Sequence, residues 1–369
     1  MRVAIDARMI TYTGIGRYIQ NLLLNLPAVD PSTSYEAVLG ERRIHLDDRP
    51  NFKSRKARWN IPIYSLREQV LLSSEMMSSS PDVLHYPSFN MPVFNSRPVV
   101  VTIHDLIYYL YPAACPNRLA YIYARFMFRK VVGAATRIIT VSEYSKNDIV
   151  KHLGVAPEKI TVVYNGVSDV YKPITDSSVI DAVLRKHGIT GEYIFYVGSH
   201  HPRKNLKRLI HAYAELRNRD RSLLVLTGEI EERRKDLYRT VDELGLNGRV
   251  LFIGRVGEQD LPALYSMAKV FVLPSFYEGF GLPLVEAFAC GAPVVTSNVT
   301  SLPEVAGDAA LIIDPVDTNA LTKAIDSILE SKDLCDDLRE KGFKRAAMFN
   351  WADAAAKTHG VYKSVSEVF

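Results

Sequence analysis

The most informative segment of the chain joins an apolar run to a loop with two glycines, and it reads Pro274-Ser275-Phe276-Tyr277-Glu278-Gly279-Phe280-Gly281-Leu282-Pro283-Leu284-Val285-Glu286. The apolar run before it, 270–273, predicts a buried parallel strand, and Pro283 and Gly291 mark the start and end of a helix. Such a helix N-terminus offers free backbone N–H groups to a phosphate or sugar oxygen. Glu278 lies in the loop and Glu286 in the helix, so both carboxylates can face one cleft. An ordinary α/β turn with two surface glutamates is the competing interpretation.

Length and composition favour two α/β domains. At 369 residues the chain is too long for one comfortable core, and 47% hydrophobic residues is typical of a globular protein. Its apolar runs are strand-sized, and residues 1–6 enter a strand without the pattern of a signal peptide. Cys115, Cys290 and Cys335 lack metal-ligand spacing, so we interpret them as reduced thiols in a cytoplasmic protein. The net charge of +4 suits anionic substrates or an anionic membrane, and does not by itself argue for nucleic acid.

The first half of the chain alternates apolar runs with helical patterns. We predict buried strands at 2–7, 83–86, 99–103, 137–141 and 160–164. After the first strand, Gly14 and Gly16 precede an apolar helix that extends to about residue 26. Ile19 stands where the dinucleotide-binding fingerprint needs its third glycine, which argues against a dehydrogenase. A tight turn that needs positive φ is a structural explanation of the two glycines.

His104 directly follows the predicted strand 99–103, in the sequence His104-Asp105-Leu106. Ligands of open parallel sheets bind at the carboxyl ends of the strands, so this histidine stands where chemistry can occur. A lone histidine is more often structural, and Asp105 is expected to orient the loop rather than react.

Residues 41–67 are strongly basic, with Trp59 and Tyr64 interleaved. The cations are Arg42, Arg43, Arg49, Lys53, Arg55, Lys56, Arg58 and Arg67, and the acids are Glu41, Asp47 and Asp48. A solvated loop is the favoured interpretation, and the sharper hypothesis is contact of 42–67 with an anionic membrane or a lipid-diphosphate acceptor. An aromatic and basic helix around 121–130 is expected to pack in the core with a basic outer face, with membrane contact as the second interpretation.

A second α/β series follows a segment rich in Pro, Asp and Ser, 168–178, which we interpret as the interdomain linker. Strands are predicted at 193–197, 223–227, 250–253, 270–273 and 293–296. Arg203 and Lys204 stand at the start of the first helix of this series, where adjacent cations oppose the helix dipole. They are therefore expected to bind a ligand, and a diphosphate is the natural one.

Taken together, these motifs resemble glycosyltransferase family 4, a family of retaining GT-B enzymes that includes bacterial mannosyltransferases. The resemblance covers essentially the whole chain, with the glycine turn, the 104–106 and 203–204 motifs and the glutamate pair in family order. It implies an α/β GT-B fold of two Rossmann-like domains whose parallel sheets face each other across a cleft. The expected domains are an acceptor-binding one over 1–170 and a nucleotide-sugar-binding one over 171–350, with a helix in 351–369 that crosses back to the first domain.

The resemblance also implies roles for the matching residues. Glu278 would bind hydroxyls of the donor sugar and stabilise an oxocarbenium-like transition state, Glu286 would bind the ribose, and His104 would contact the sugar. Arg203 and Lys204 would stabilise the departing diphosphate. The donor-binding positions implied by correspondence are Gly14, Gly16, Ser199, Arg203, Lys204, Val256, Phe280, Gly281, Leu282 and Glu286. Some relatives carry an arginine at the position of Ser199, so this chain departs from them there.

The expected reaction is a retaining, metal-independent transfer of a hexose to a lipid-linked or oligosaccharide acceptor in O-antigen or exopolysaccharide synthesis. GDP-mannose is the expected donor, and a UDP-sugar is the alternative. No metal or cofactor is expected, because the acidic pairs 47–48 and 336–337 have the wrong spacing for an Asp-x-Asp clamp. The protein would be cytoplasmic, with peripheral contact to the inner face of the membrane. A sugar-nucleotide 2-epimerase and a non-catalytic nucleotide-sugar-binding paralogue are the other function classes.

Overall fold

The computed structural model describes residues 1–40, 49–228 and 234–367, apart from the side chain of Leu66. Its strands are β1 (Arg2–Asp6), β2 (Ser34–Leu39), β3 (Phe52–Lys56), β4 (Val83–Tyr86), β5 (Val99–Thr102), β6 (Arg137–Thr140), β7 (Ile160–Val162), β8 (Glu192–Tyr196), β9 (Ser222–Thr227), β10 (Val250–Gly254), β11 (Val270–Leu273), β12 (Val294–Ser297) and β13 (Leu311–Ile313). Its α-helices are α1 (Gly14–Val29), α2 (Leu66–Met76), α3 (Ile107–Leu110), α4 (Arg118–Ala134), α5 (Glu143–Leu153), α6 (Ser177–Lys186), α7 (Leu206–Ala214), α8 (Lys235–Glu243), α9 (Leu261–Met267), α10 (Leu282–Ala289), α11 (Leu302–Ala306), α12 (Thr318–Glu330), α13 (Lys332–Ala346) and α14 (Trp351–Ser366).

The chain forms two compact units. Unit 1 contains Met1–Gly166 together with Asn350–Phe369, and unit 2 contains Val167–Phe349. The segment 168–178, interpreted from its composition as a linker, belongs to unit 2. There the Tyr171 ring is buried 6.2 Å from the ring of Tyr265, and the backbone N–H of Ile174 donates to Ser266 Oγ at 3.0 Å. This polar segment directly follows the boundary between the units and is anchored to α9 by a buried aromatic side chain.

Each unit is built on a parallel sheet. The order in unit 1 is β3-β2-β1-β4-β5-β6-β7, and the order in unit 2 is β10-β9-β8-β11-β12-β13. In unit 1, Ile5 of β1 lies opposite Ala37 of β2 and His85 of β4. Both orders contain the Rossmann arrangement 3-2-1-4-5-6, in which the ligand crevice lies at the carboxyl ends of the two strands where the order reverses. These strands are β1 and β4 in unit 1, and β8 and β11 in unit 2.

The central strands are buried on both faces. Every residue of β4, β5, β9, β11 and β12 is buried, as expected for parallel strands covered by helices on each side. The run at 83–86, apolar apart from His85, and the apolar run at 270–273 therefore predicted their strands with the observed bounds.

The basic stretch contains a strand that its sequence did not predict. β3 is the edge strand of the unit 1 sheet, so the solvated-loop interpretation is wrong for 52–56. Exposed charges are a usual feature of edge strands, where they discourage pairing with other chains. Arg55 donates to Glu36 Oε1 at 2.7 Å and also pairs with the buried Glu75 carboxylate. Residues 41–48, with Arg42 and Arg43, lie outside the described part of the chain.

The final helix packs in unit 1. On α14 the Tyr362 hydroxyl lies 2.7 Å from Nδ1 of the buried His85, and His359 Nδ1 lies 2.8 Å from the Tyr35 hydroxyl. Burial lowers the pKa of His85 to about 3, so the hydrogen bond is made with a neutral imidazole. Gly166 meets the start of α14 so closely that a Cβ there would lie 2.3 Å from Trp351 N. Only glycine fits at position 166, where the chain passes the start of α14.

Candidate active site

The carboxyl ends of β8 and β11 bring a carboxylate and two cations together. Lys204 Nζ lies 2.5 Å from Glu278 Oε1, and Arg203 Nη1 lies 2.9 Å from Glu278 Oε2. Ser275 Oγ donates to Glu278 Oε1 at 2.7 Å. One carboxylate is therefore shared between both cations of the predicted diphosphate site.

The loops that carry these groups are fixed to each other. Asn205 takes the left-handed conformation, φ 60°, directly before α7, and its side-chain amide donates to the carbonyls of Pro274 at 3.1 Å and Pro315 at 2.7 Å. The backbone N–H of Phe276 donates to the Arg203 carbonyl at 2.8 Å. These hydrogen bonds hold the cations against the loop after β11.

Glu278 is ionised at neutral pH. Burial by itself would raise the pKa of its carboxyl group, but the charges of Lys204 and Arg203, with hydrogen bonds from Lys204 and Ser275, lower it to about 2. The carboxylate thus accepts hydrogen bonds and supplies negative charge, and it is not a proton donor above about pH 4.

The two glutamates of the motif are buried, 7% exposed at Glu278 and 3% at Glu286, so the interpretation as ordinary surface residues is wrong. Glu286 lies on α10, where Tyr265 Oη donates to Glu286 Oε2 at 3.0 Å. Gly281, in the left-handed conformation, precedes α10, and Pro283 lies in its first turn as predicted. Leu282, half-buried, is its first residue.

The other predicted donor-binding positions of unit 2 are Ser199, Val256 and Phe280, and they differ in exposure. Ser199 is exposed in the loop after β8, where its carbonyl accepts from Tyr196 Oη at 2.8 Å. Val256 is half-buried just beyond β10. The Phe280 ring is buried 5.5 Å from the ring of Phe349, so this residue can offer a ligand its backbone and not its ring.

In unit 1, His104 lies at the carboxyl end of β5. Its Nε2 is 3.0 Å from the Pro87 carbonyl oxygen, and its ring makes an edge contact with Tyr18 at 4.9 Å. Because a carbonyl only accepts, Nε2 carries the proton and Nδ1 is unprotonated in the neutral ring. Burial lowers the pKa of His104 to about 4, although the hydrogen bond to Pro87 acts in the opposite direction. The imidazole is neutral at pH 7.

Gly14 and Gly16, predicted to precede the first helix, lie in the first turn of α1. Neither Gly14 nor Gly16 has positive φ, so the explanation from turn conformation is wrong. A Cβ at Gly16 would lie 2.4 Å from the Ile10 carbonyl oxygen, whereas one at Gly14 would meet nothing within 4 Å. Gly16 thus permits α1 to approach the loop that leaves β1.

Several polar residues near the predicted site escaped the sequence analysis. Ser275 lies inside the quoted motif, and a hydroxyl three residues before Glu278 was the available signal. Tyr265 carries no local pattern that connects it with the motif. A buried network of Asp6, Arg8, Glu68 and Asn90 at the ends of β1 and β4 was also missed.

Within residues 1–40, 49–228 and 234–367, no group of three or more His, Cys, Asp or Glu side chains could hold a metal ion. Asp336 and Asp337 pair with Arg339 and Lys341 along α13. The pair 47–48 lies outside the described residues. Over those same described residues, no helix has the length and apolar character needed to cross a membrane.

The sequence matches two family models that together cover most of the chain. Residues 12–170 match the model of glycosyltransferase family 4, and residues 180–345 match that of the group 1 glycosyl transferases. O-antigen chain mannosyltransferase B of Escherichia coli is 35% identical over 285 residues, which are 76% of this chain and 74% of that protein. The serotype-specific mannosyltransferase WbdA of E. coli is 28% identical over 335 residues, 87% of this chain but only 40% of the longer relative.

Solved structures of glycosyltransferases share the fold. Sucrose-phosphate synthase from Thermosynechococcus elongatus superposes with a TM-score of 0.81 at 20% identity, and all of each chain is covered. WaaG, a glycosyltransferase involved in lipopolysaccharide biosynthesis, superposes with a TM-score of 0.73 at 19% identity over 98% of this chain and 99% of WaaG. With its two Rossmann-like units and its mannosyltransferase relatives, this chain belongs to glycosyltransferase family 4 and is a GT-B glycosyltransferase.

Proposed function

We propose that this glycosyltransferase moves mannose from GDP-mannose to a saccharide acceptor carried on a lipid, without a metal ion and with retention of anomeric configuration. The reaction would serve the synthesis of a surface polysaccharide. The observation that carries the proposal is the group formed by Arg203, Lys204 and Glu278 at the carboxyl ends of β8 and β11. The names of the mannosyltransferase relatives support the choice of sugar.

The cation pair suits a leaving diphosphate. Negative charge grows on the diphosphate as the bond to the sugar breaks, and prearranged positive groups stabilise that change most. Arg203 can give paired hydrogen bonds, and Lys204 supplies a concentrated charge. A diphosphate that binds Arg203 and Lys204 would replace the Glu278 carboxylate as their partner. The carboxylate could then interact with the sugar, whose anomeric carbon becomes positively charged in the transition state. No residue is assigned as a covalent nucleophile.

His104 suits hydrogen bonding rather than charge stabilisation. Its neutral ring donates from Nε2 to the Pro87 carbonyl, and the unprotonated Nδ1 can accept a hydrogen bond from a saccharide hydroxyl. A pKa of about 4 keeps this arrangement unchanged across the physiological range.

The donor is tested by thermal unfolding of the full chain in EDTA with GDP-mannose, GDP-fucose, UDP-glucose, UDP-galactose, UDP-GlcNAc, NAD and the free nucleotides. A ligand that binds only the folded state adds about 2.7 kcal/mol at a hundred times its Kd, which raises Tm. We expect GDP and GDP-mannose to raise Tm. A rise with UDP species alone would keep the enzyme class and replace the donor, and a response to none of them would contradict the assigned site.

Membrane contact is proposed through α4 rather than through residues 53–58, where Arg55 and Arg58 lie against Glu75. Leu119, Ile122 and Phe126 are 78%, 53% and 53% exposed and share one face of this helix. Its exposed cations are Arg118, Arg129 and Lys130. An apolar stripe beside cations is typical of helices that lie in the surface of an anionic membrane.

The double variant Ile122→Ser with Phe126→Ser is expected to lower binding to vesicles of phosphatidylglycerol and phosphatidylcholine at least about tenfold. The reason is that burying one such side chain contributes about 1.5–3 kcal/mol. Sedimentation of protein with vesicles at low and high salt measures the effect. Val70→Ser is the control, because Val70 is an apolar residue on α2 that is 74% exposed. This variant should bind vesicles as the wild type does. Equal binding by the double variant would exclude α4 as the contact.

A further inference from the structure

Three tyrosines with exposed rings follow three strands of the unit 1 sheet at its carboxyl edge. Tyr12 lies in the segment after β1, Tyr64 in the segment after β3, and Tyr108 on α3 after β5, four residues beyond His104. Their exposed fractions are 49%, 46% and 40%, which is high for large aromatic side chains. Their position at the ligand-binding edge of the sheet calls for a functional explanation.

The rings of Tyr64 and Tyr108 both contact Phe89 and form one surface with it, which we call the tyrosine shelf and define as Tyr64, Phe89 and Tyr108. The ring of Phe89 lies 5.9 Å from that of Tyr64 and 6.3 Å from that of Tyr108. The shelf therefore offers aromatic faces with hydroxyl groups at their rims.

Tyr64 is held in a costly backbone conformation. Its φ is +62°, a value that bulky L-residues rarely adopt and that costs of the order of 1–3 kcal/mol where it persists. Its backbone N–H donates to Glu68 Oε2 at 2.9 Å, and Glu68 is fully buried. Such strain concentrates at ligand-binding sites, where the surrounding structure maintains it.

The support beneath Tyr64 is a buried polar network. Glu68 binds both the Arg8 guanidinium and the Asn90 amide. Arg8 makes two hydrogen bonds of 2.8 Å with Asp6, the last residue of β1, and the Tyr123 hydroxyl donates to Asn90 Oδ1 at 2.6 Å. The network thus links the position of Tyr64 to the strands β1 and β4, where the sheet order reverses.

We propose that the tyrosine shelf is the subsite for the acceptor saccharide and that Tyr64 selects the glycan it accepts. One face of a pyranose ring presents C–H groups of slight positive charge, which suit the negative face of an aromatic ring. Hydroxyls at the ring edges of the shelf can exchange hydrogen bonds with those of the sugar. An aromatic surface with a few polar groups is the usual composition of a small-molecule site. The role of the bound saccharide as acceptor rests on the proposed function, whereas the binding of a saccharide to the shelf does not.

Binding is tested without donor, by saturation-transfer NMR on the full chain with a panel of α- and β-linked disaccharides of mannose, glucose and galactose. Tyr64→Ala and Tyr108→Ala should each weaken the disaccharide that the wild type binds by about tenfold, the scale of one lost stacking contact. Tyr64→Phe should retain most of the affinity, since it keeps the ring. Phe94→Ala is the control, because Phe94 is 86% exposed in the same unit and lies outside the shelf.

The outcomes separate this inference from the proposed function. Loss of disaccharide binding in the two alanine variants, with Tm shifts by GDP species unchanged, supports the shelf. Wild-type affinity in both variants, or no binding of any disaccharide to the wild type, overturns it even if the donor is confirmed. Loss of vesicle binding with unchanged disaccharide binding would assign the shelf to lipid and would also overturn it. Because Tyr108 has an ordinary backbone, its variant remains informative if Tyr64→Ala fails to fold.

Discussion

Replacing Lys204 by alanine is expected to lower kcat/KM by roughly 10²–10³-fold, the usual effect of removing one electrostatic contact from a developing negative charge. Lys204 is buried, and its ammonium group is 2.5 Å from Glu278 Oε1, so solvent screens its charge little. Steady-state kinetics with the donor identified by thermal unfolding measures the loss. Lys207→Ala is the control, since Lys207 is an exposed cation only three residues away.

The same variant separates catalysis from stability. Breaking a buried ion pair costs about 3–5 kcal/mol of folding free energy when one partner is left behind, although Arg203 still pairs with Glu278 here. Urea unfolding of Lys204→Ala should therefore show a lower midpoint, and kinetics must be measured where the variant remains folded. Native turnover in the folded variant would remove Lys204 from the mechanism. A loss equal to that of Lys207→Ala would do the same.

Replacing Glu278 by glutamine is expected to remove a pH-dependent part of the stability. The pKa of the Glu278 carboxyl falls from 4.5 to about 2 on folding, which corresponds to roughly 3 kcal/mol. Because the folded state holds the ionised form more tightly, this contribution is fully present above about pH 4.5 and is lost as the pH falls towards 2. The difference in unfolding free energy between wild type and variant should thus be constant from pH 5 to 7 and should shrink below pH 4.5.

Denaturant unfolding at a series of pH values checks this dependence. Glu330→Gln is the control, because the Glu330 carboxylate meets Arg217 at an exposed surface site where ion pairs contribute little. The variant also tests the competition proposed for the cations: without the Glu278 carboxylate, Arg203 and Lys204 should bind a nucleoside diphosphate at least as tightly as before. A pH-independent difference in stability, or much weaker diphosphate binding, would contradict the charge assignment.

Strands with a nearly continuous apolar run were predicted from the sequence, including the edge strands β7 and β10, whereas β2, β3 and β13 were not. The run at 270–273 is apolar throughout, and the run at 83–86 is apolar apart from His85, because helices cover both faces of their sheets. β3 and β13 are edge strands, and the five residues of β3 include three cations. A strand that packs against less protein needs no apolar run, so its sequence resembles a loop. The buried Tyr171 shows that one aromatic residue is enough to anchor a polar segment to a neighbouring helix.

The candidate site was predicted as a set of residues but not as a network. Helix-start cations and the spacing of two glutamates are local patterns, and they identified Arg203, Lys204, Glu278 and Glu286. The pairing of Glu278 with both cations joins residues 74 and 75 positions apart, so only the parallel sheet brings them together. The Tyr265–Glu286 hydrogen bond, between residues 21 positions apart, arises from the fold in the same way.

The return of α14 to unit 1 gives the chain a nested rather than a sequential architecture. The chain leaves unit 1 at Gly166 and re-enters it at Asn350, and these two residues are adjacent. A hydrogen bond of 3.0 Å from Val167 N to the Phe349 carbonyl joins the first and last residues of unit 2. Unit 2 is in effect an insert whose entry and exit coincide, the condition under which one domain can be placed inside another without disturbing its host. Residues 167–349 therefore meet the geometric condition for exchange as one cassette between relatives.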